Sequence, residues 1–247
     1  MSKLNALYRK LKPGSPTTSE ELAGAGVSGD LAVHYARAGW LTRLARGVYV
    51  RPDTPLELHP SLRLLERRLK GLHVGGRSAL DWHGLRHHVA EQPSLQAEQP
   101  SLQLYGWASG PLPAWFLQRF PSTYHRLRLF DEQPTAPRRV SHFHRKADGP
   151  LVSEPERAVL EVLSGVGVRQ PLDDVRDLLA GVSTLRAAVL QDLLSHCTQV
   201  KTVRLCLTLG RELNLPWAAK LDPKRLPTGS TQRWVGRSTN GLLVLKP

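Results

Sequence analysis

Between Pro13 and Arg51 the chain is closely punctuated, and its breaks read as a small helical unit followed by a hairpin. Pro13-Gly14-Ser15-Pro16 stops a first amphipathic helix over residues 2–11, in which Leu4, Leu7, Tyr8 and Leu11 recur at helical spacing. Thr18-Ser19-Glu20-Glu21 has the form of a capping box, in which the Thr18 hydroxyl accepts from a first-turn amide and Glu21 reaches back. The short helix it opens runs through Leu22 and Ala23; Gly26 then supplies a tight turn and Val27 an apolar plug. Ser28 caps a further helix running to about residue 38, where Gly39 ends it. Helical spacing puts Leu31, Tyr35 and Ala38 on an inward face and Asp30, Val33, His34 and Arg37 on the opposite one. Residues 40–51 read as a hairpin of strand formers turning at Ala45-Arg46-Gly47. Helix, glycine-containing turn, helix and hairpin together describe a winged helix-turn-helix, whose second helix enters the major groove of DNA.

Pro52, Pro55 and Pro60 break this pattern and place a boundary near residue 58, dividing the chain into a DNA-binding domain (1–58) and a second domain (59–247). The second domain opens with a basic helix over 60–70, with Leu62, Leu65 and Leu69 inside and Arg63, Arg67 and Lys70 outside. A turn at Gly75-Gly76 leads into a short helix ending at Gly84. Residues 91–97 are repeated almost unchanged as 98–104, a copy too short for a solenoid unit and read as a surface loop. Strand-like pieces follow at 102–107, 124–130 and 140–144. Beyond Ser153-Glu154-Pro155-Glu156, which combines a capping box with an early proline, the period is helical over 155–163, 171–179, 184–195 and 200–213. An apolar strand occupies 242–245. The expected class is α+β: a winged helix-turn-helix followed by a mixed domain of a small sheet plus helices.

Charge narrows the function. Lys and Arg number 34 against 21 Asp and Glu, a formal charge of +13, which implies an anionic partner such as nucleic acid, a membrane surface or an acidic protein. No segment is long and apolar enough to span a bilayer, and residues 1–11 lack the apolar run of a signal peptide, so a soluble cytoplasmic protein is expected. Cys197 and Cys206 match no zinc or redox spacing and read as buried thiols. The DNA-contact set is Ser28, Val33, His34, Arg37, Thr42, Arg43, Arg46 and Arg51. Ser28 and its helix N-terminus suit a phosphate, and His34 and Arg37 suit base edges or phosphates. Asp30 accepts from cytosine or simply favours the helix start. Arg63, Arg67, Lys70, Arg204 and Arg211 extend the basic surface or are merely solvated.

Catalytic residue types are present without a convincing arrangement. His83, His87 and His88 near Asp81 suggest a metal, but Gly84 interrupts their helix and no second ligand cluster is evident. Ser78, Asp81 and His83 have triad chemistry without a Gly-x-Ser-x-Gly elbow. His142 and His144 alternate on a strand and read as surface or packing residues. No catalytic residue, metal or cofactor is assigned. A nuclease-like DNA-processing enzyme and a ligand-sensing winged-helix transcription factor stand as alternatives to a plain regulator.

Residues 39–49, Gly-Trp-Leu-Thr-Arg-Leu-Ala-Arg-Gly-Val-Tyr, resemble the wing of AbiEi-type antitoxins, the regulatory halves of type IV (abortive-infection) toxin–antitoxin pairs. Ser78-Ala79-Leu80 with His83-Gly84-Leu85 is similar to a second segment of that family, and Ser153-Glu154-Pro155-Glu156-Arg157-Ala158 to a third. The resemblance implies a repressor that binds inverted repeats in its own promoter on double-stranded DNA. It also implies a second domain that counters a nucleotidyltransferase toxin, in many members without a stable complex.

Overall fold

The computed structural model describes residues 3–85, 101–133, 137–229, 234–238 and 241–245. His87, His88 and the first copy of the duplicated heptad lie outside them. The N-terminal part consists of α1 (Lys3–Lys10), β1 (Thr17–Thr18), α2 (Ser19–Gly24), α3 (Gly29–Arg37), β2 (Thr42–Ala45) and β3 (Val48–Val50). Both arms of the capping box form: the Glu21 amide donates to Thr18 Oγ1 at 3.2 Å and the Thr18 amide to Glu21 Oε2 at 2.9 Å. Thr18 serves twice, because β1 also pairs antiparallel with β3 and makes a three-stranded sheet in the order β1-β3-β2. That first strand, two residues long, had no readable signal in the sequence. The α1–β1 link depends on Gly14, which sits at φ 68°; a Cβ there would lie 2.8 Å from Glu57 Cγ and 2.9 Å from the Pro55 carbonyl.

Leu7, Leu11, Leu22, Val27, Ala32, Leu41 and Tyr49 form the small core of this part, with Leu31, Tyr35 and Ala36 packed on it. The inward face of α3 is therefore Leu31, Ala32, Tyr35 and Ala36. Ala38, expected inside, is exposed because α3 ends at Arg37 and the chain turns away through Gly39 at φ 77°.

The second part comprises α4 (Leu58–Arg68), β4 (His73–Val74), α5 (Gly76–Trp82), β5 (Leu102–Gly106), α6 (Ala114–Arg119), β6 (Ser122–Arg126), β7 (Val140–His142), β8 (Leu151–Ser153), α7 (Pro155–Ser164), α8 (Leu172–Ala180), α9 (Ala187–Ser195), α10 (Val200–Glu212), β9 (Trp234–Ser238) and β10 (Gly241–Leu245). Its sheet has the order β6-β5-β4-β8-β7; β5–β6 and β4–β8 are parallel and the other pairs antiparallel. β9 and β10 pair antiparallel in a separate two-stranded sheet. The α+β class is thus observed.

Every residue of α7 from Glu156 to Ser164 is buried, with α5, α8, α9, α10 and β8 packed around it. A buried helix carrying Glu156, Arg157 and Glu161 must pair each charge internally. The expected capping box at its start does not form: the N-cap is Glu154, without a side-chain cap bond, and Ser153 is the last residue of β8. The Ser153 hydroxyl instead donates to Glu161 at 3.0 Å. Pro155 does occupy the first turn, where its missing N–H costs nothing.

β3 joins the two parts. Neighbouring residues on a strand face opposite ways, so Tyr49 enters the small core while Val48 enters the large one, where Leu44 and Ala45 of β2 also pack. Arg67 on α4 adds an exposed ion pair with Glu21 on α2 at 2.7 Å.

Candidate nucleic-acid interface

α2 and α3 with their connecting turn are the helix-turn-helix, and β2–β3 is the wing. Ser28 caps α3, its hydroxyl accepting from the Leu31 amide at 3.3 Å, which leaves the Gly29 and Asp30 amides directed out of the first turn. Asp30, His34 and Arg37 are exposed and Val33 is half-buried. The helix end therefore presents donors and the dipole, and its outward face a histidine and an arginine. On the wing, Thr42, Arg43 and Arg46 are exposed. The Arg43 Nε donates to its neighbour Ala45 O at 3.4 Å, across the bulge between Arg43 and Ala45. Gly47, at φ 71°, closes the turn, and its carbonyl accepts from the Ser19 amide at 3.1 Å, tying the hairpin tip to the start of α2. The hairpin tip is thereby tied to α2, which packs on α3.

Other expected contacts are spent elsewhere. Arg51 is half-buried; its guanidinium lies 4.6 Å from the Tyr8 ring centroid and donates to Leu11 O at 3.5 Å, stapling α1 to the sheet. Arg63 is half-buried against Glu66 at 2.9 Å, and Arg67 is paired with Glu21. Arg204 is buried, 4% exposed, and its Nε donates to Thr228 O at 2.7 Å, so it belongs to no basic surface. Lys70 and Arg211 are exposed. The sequence reading missed a different basic group. Exposed Lys10 and Lys12, at the end of α1, line a cleft of about 710 Å³ together with Arg63 and Arg67. Its one available signal was the pair of cations Arg9 and Lys10 in the last turn of α1.

The enzyme-like residues of the second part do not assemble. Ser78 Oγ accepts from the Gln103 amide at 2.9 Å, while His83 Nε2 lies 2.9 Å from the Ser153 carbonyl. His142 sits against the Gly149 carbonyl at 2.8 Å, and His144 is exposed beyond the strand end. Among the described residues no three His, Cys, Asp or Glu side chains are placed to hold a metal.

Behind them lies a buried charge cluster. Glu161 accepts from His73 Nε2 (2.9 Å), the Gly76 amide (2.9 Å), Ser153 Oγ (3.0 Å) and Arg157 Nε (2.8 Å). Burial pushes its carboxyl up, but His73, Arg157 and the Gly76 amide outweigh this and hold it at about 2. Arg157 also meets Glu132 at 2.9 Å and covers the Phe130 ring at 4.9 Å. Glu156 faces Arg186, whose Nε lies 3.0 Å from it. A Cβ at Gly75 would fall 2.4 Å from Glu161 Oε2, so this approach requires glycine.

A family model described as the AbiEi antitoxin N-terminal domain, a transcriptional regulator, matches residues 1–91, and one described as the AbiEi antitoxin and transcriptional regulator of a type IV toxin–antitoxin system matches residues 99–246. This chain belongs to the AbiEi antitoxin family. The crystal structure of the RV2827C protein from Mycobacterium tuberculosis has the same fold, with a TM-score of 0.52 at 17% identity over 94% of this chain and 87% of that one. No curated protein matched. In this AbiEi chain, no helix among the described residues is long and apolar enough to cross a membrane. The segments around Ser78 and Ser153 also meet at one place, Glu161. Ser153 and Arg157 are Glu161 partners, and the Ser78-Ala79-Leu80 helix starts at Gly76, whose amide is a third.

Proposed function

We propose that this AbiEi regulator represses its own operon in the cytoplasm by binding inverted repeats of double-stranded DNA, with no catalytic step of its own. In this reading residues 1–58 are the DNA-binding unit. α3 lies in the major groove with His34 and Arg37 towards the base edges and Val33 against the groove floor. The Ser28 end of the helix takes a phosphate, and Thr42, Arg43 and Arg46 take flanking phosphates. The observation that carries it is the exposure of Arg37, Arg43 and Arg46 on a helix and hairpin that share one small core, in a chain of charge +13. Residues 59–247 serve as the antitoxin unit, opposing a nucleotidyltransferase toxin encoded with it; any direct complex between the two is secondary to this opposition.

The test is fluorescence anisotropy on the upstream intergenic DNA across a salt series. Log affinity falls linearly with log salt, by about 0.9 for each phosphate neutralised. Arg37→Ala, Arg43→Ala and Arg46→Ala combined abolish specific binding without altering the circular dichroism spectrum. Tight binding by that triple variant overturns the assignment. Relief of toxicity on co-expression with the neighbouring nucleotidyltransferase tests the second role separately.

A further inference from the structure

A cleft of about 540 Å³ opens in the second part, between the start of α5, the β5–β6 edge of the sheet and the loop leading into α8. Tyr105 on β5 lines it. This side chain is only 4% exposed, and no described residue shares a hydrogen bond with its hydroxyl. Its hydroxyl is not one of the buried atoms left without a partner; it reaches the cleft, where an incoming acceptor takes the place of water. His125, opposite Tyr105 in the parallel register of β5 and β6, packs on it with ring centroids 4.7 Å apart. Burial first, and then the neighbouring Arg169, lower its pKa to about 4. At neutral pH it is an uncharged ring, with no hydrogen-bond partner among the described residues.

Two guanidiniums complete the lining. Arg77 is oriented by Gln170 Oε1 at 3.2 Å and the Asp174 carbonyl at 3.3 Å, and Arg169 by Ser164 Oγ at 3.2 Å. Neither forms an ion pair with a described carboxylate, and Asp81 is the lining's single acid among the described residues. Ser101 and Thr123 add two hydroxyls, 2.9 Å apart. The lining therefore sets two guanidiniums against one carboxylate.

We propose that this cleft binds a small phosphate-bearing molecule of nucleotide size, with Arg77, Arg169 and the Tyr105 hydroxyl holding the phosphate. A phosphomonoester carries about −1.5 to −2 at neutral pH, which matches two guanidiniums where a single carboxylate does not. The volume lies within the range of small-molecule sites.

Isothermal titration of the full chain with inorganic phosphate, AMP and adenosine tests this without DNA, so its outcome is independent of the operator reading. Phosphate and AMP bind and adenosine does not. Arg169→Gln weakens AMP about tenfold, the effect of losing one charge-assisted contact. Tyr105→Phe removes a hydroxyl that no described residue bonds, so the melting temperature holds while AMP binding weakens several-fold. That combination separates a ligand contact from a packing role, and it stands even if Arg169→Gln lowers stability. Absence of saturable binding of phosphate and AMP, equal binding of adenosine, or AMP binding unchanged in both variants overturns the proposal.

Discussion

Replacing Glu161 with Gln should be strongly destabilising although it barely changes the side chain's shape. The carboxylate accepts from an imidazole, a backbone amide, a hydroxyl and a guanidinium, all without solvent. The side-chain amide introduced by Glu161→Gln would turn an NH2 towards groups that are themselves donors and leave Arg157 with Glu132 as its one carboxylate among the described residues, beside the Arg138 carbonyl. Removing one partner of a buried ion pair costs about 3–5 kcal/mol. The carboxyl's fall below its ordinary 4.5 agrees in sign, since the folded state favours its charged form. At roughly 2–4 °C per kcal/mol for a unit of this length, the melting temperature should drop by about 6–20 °C. The pH dependence has a defined sign. A carboxyl whose folded pKa is depressed contributes fully above about 4.5, and that contribution fades as pH falls towards about 2. The gap between wild type and variant should therefore be widest at neutral pH and narrow through that window. Thermal melts followed by circular dichroism at several pH values measure both effects. A loss under about 1 kcal/mol at neutral pH, or a gap that widens on acidification, refutes the view that Glu161 is a charged hub.

Thr18→Ala removes a hydroxyl that caps α2 and should cost about 1 kcal/mol in chemical denaturation; Thr18→Ser should recover most of it. Gly14→Ala meets both a positive φ and a backbone carbonyl 2.9 Å away, so it should destabilise by more than about 1 kcal/mol and lower the melting temperature. Burial pushes the Cys197 thiol up to about 11 and Cys206 higher still. Neither should be alkylated by iodoacetamide at about pH 8 until the chain unfolds, which mass spectrometry of the labelled protein would check.

The sequence carried the helix-turn-helix because each of its boundaries has a local cause. Thr18 and Ser28 cap, Gly39 and Gly47 take positive φ, and apolar spacing supplies the rest. The long helices α7 to α10 were legible for the same reason. β1, β4 and β8 were not, since strands of two or three residues have no periodicity and exist only through their partners. α6, bracketed by Pro113 and Phe120, is too short to show a pattern. Ser153 misled because the local signature for a cap is also a valid donor to a distant carboxylate, and Glu161 lies eight residues on. Among the cations, sign was readable and destination was not. Arg37, Arg43 and Arg46 stay in solvent, whereas Arg51 and Arg204 turn inward to backbone carbonyls that no spacing rule foretells.

Because β3 has apolar side chains in both cores, the chain cannot be cut cleanly at the proline-rich link after it. A fragment ending near residue 58 would carry Leu44, Ala45 and Val48 to water as a bare greasy strip beside the hairpin edge. Such a fragment should self-associate, and its weaker grip on DNA would reflect a lost backing wall as much as lost contacts. The same wall backs the hairpin from behind, so repacking in the larger half reaches the exposed Arg43 and Arg46 by direct mechanical support.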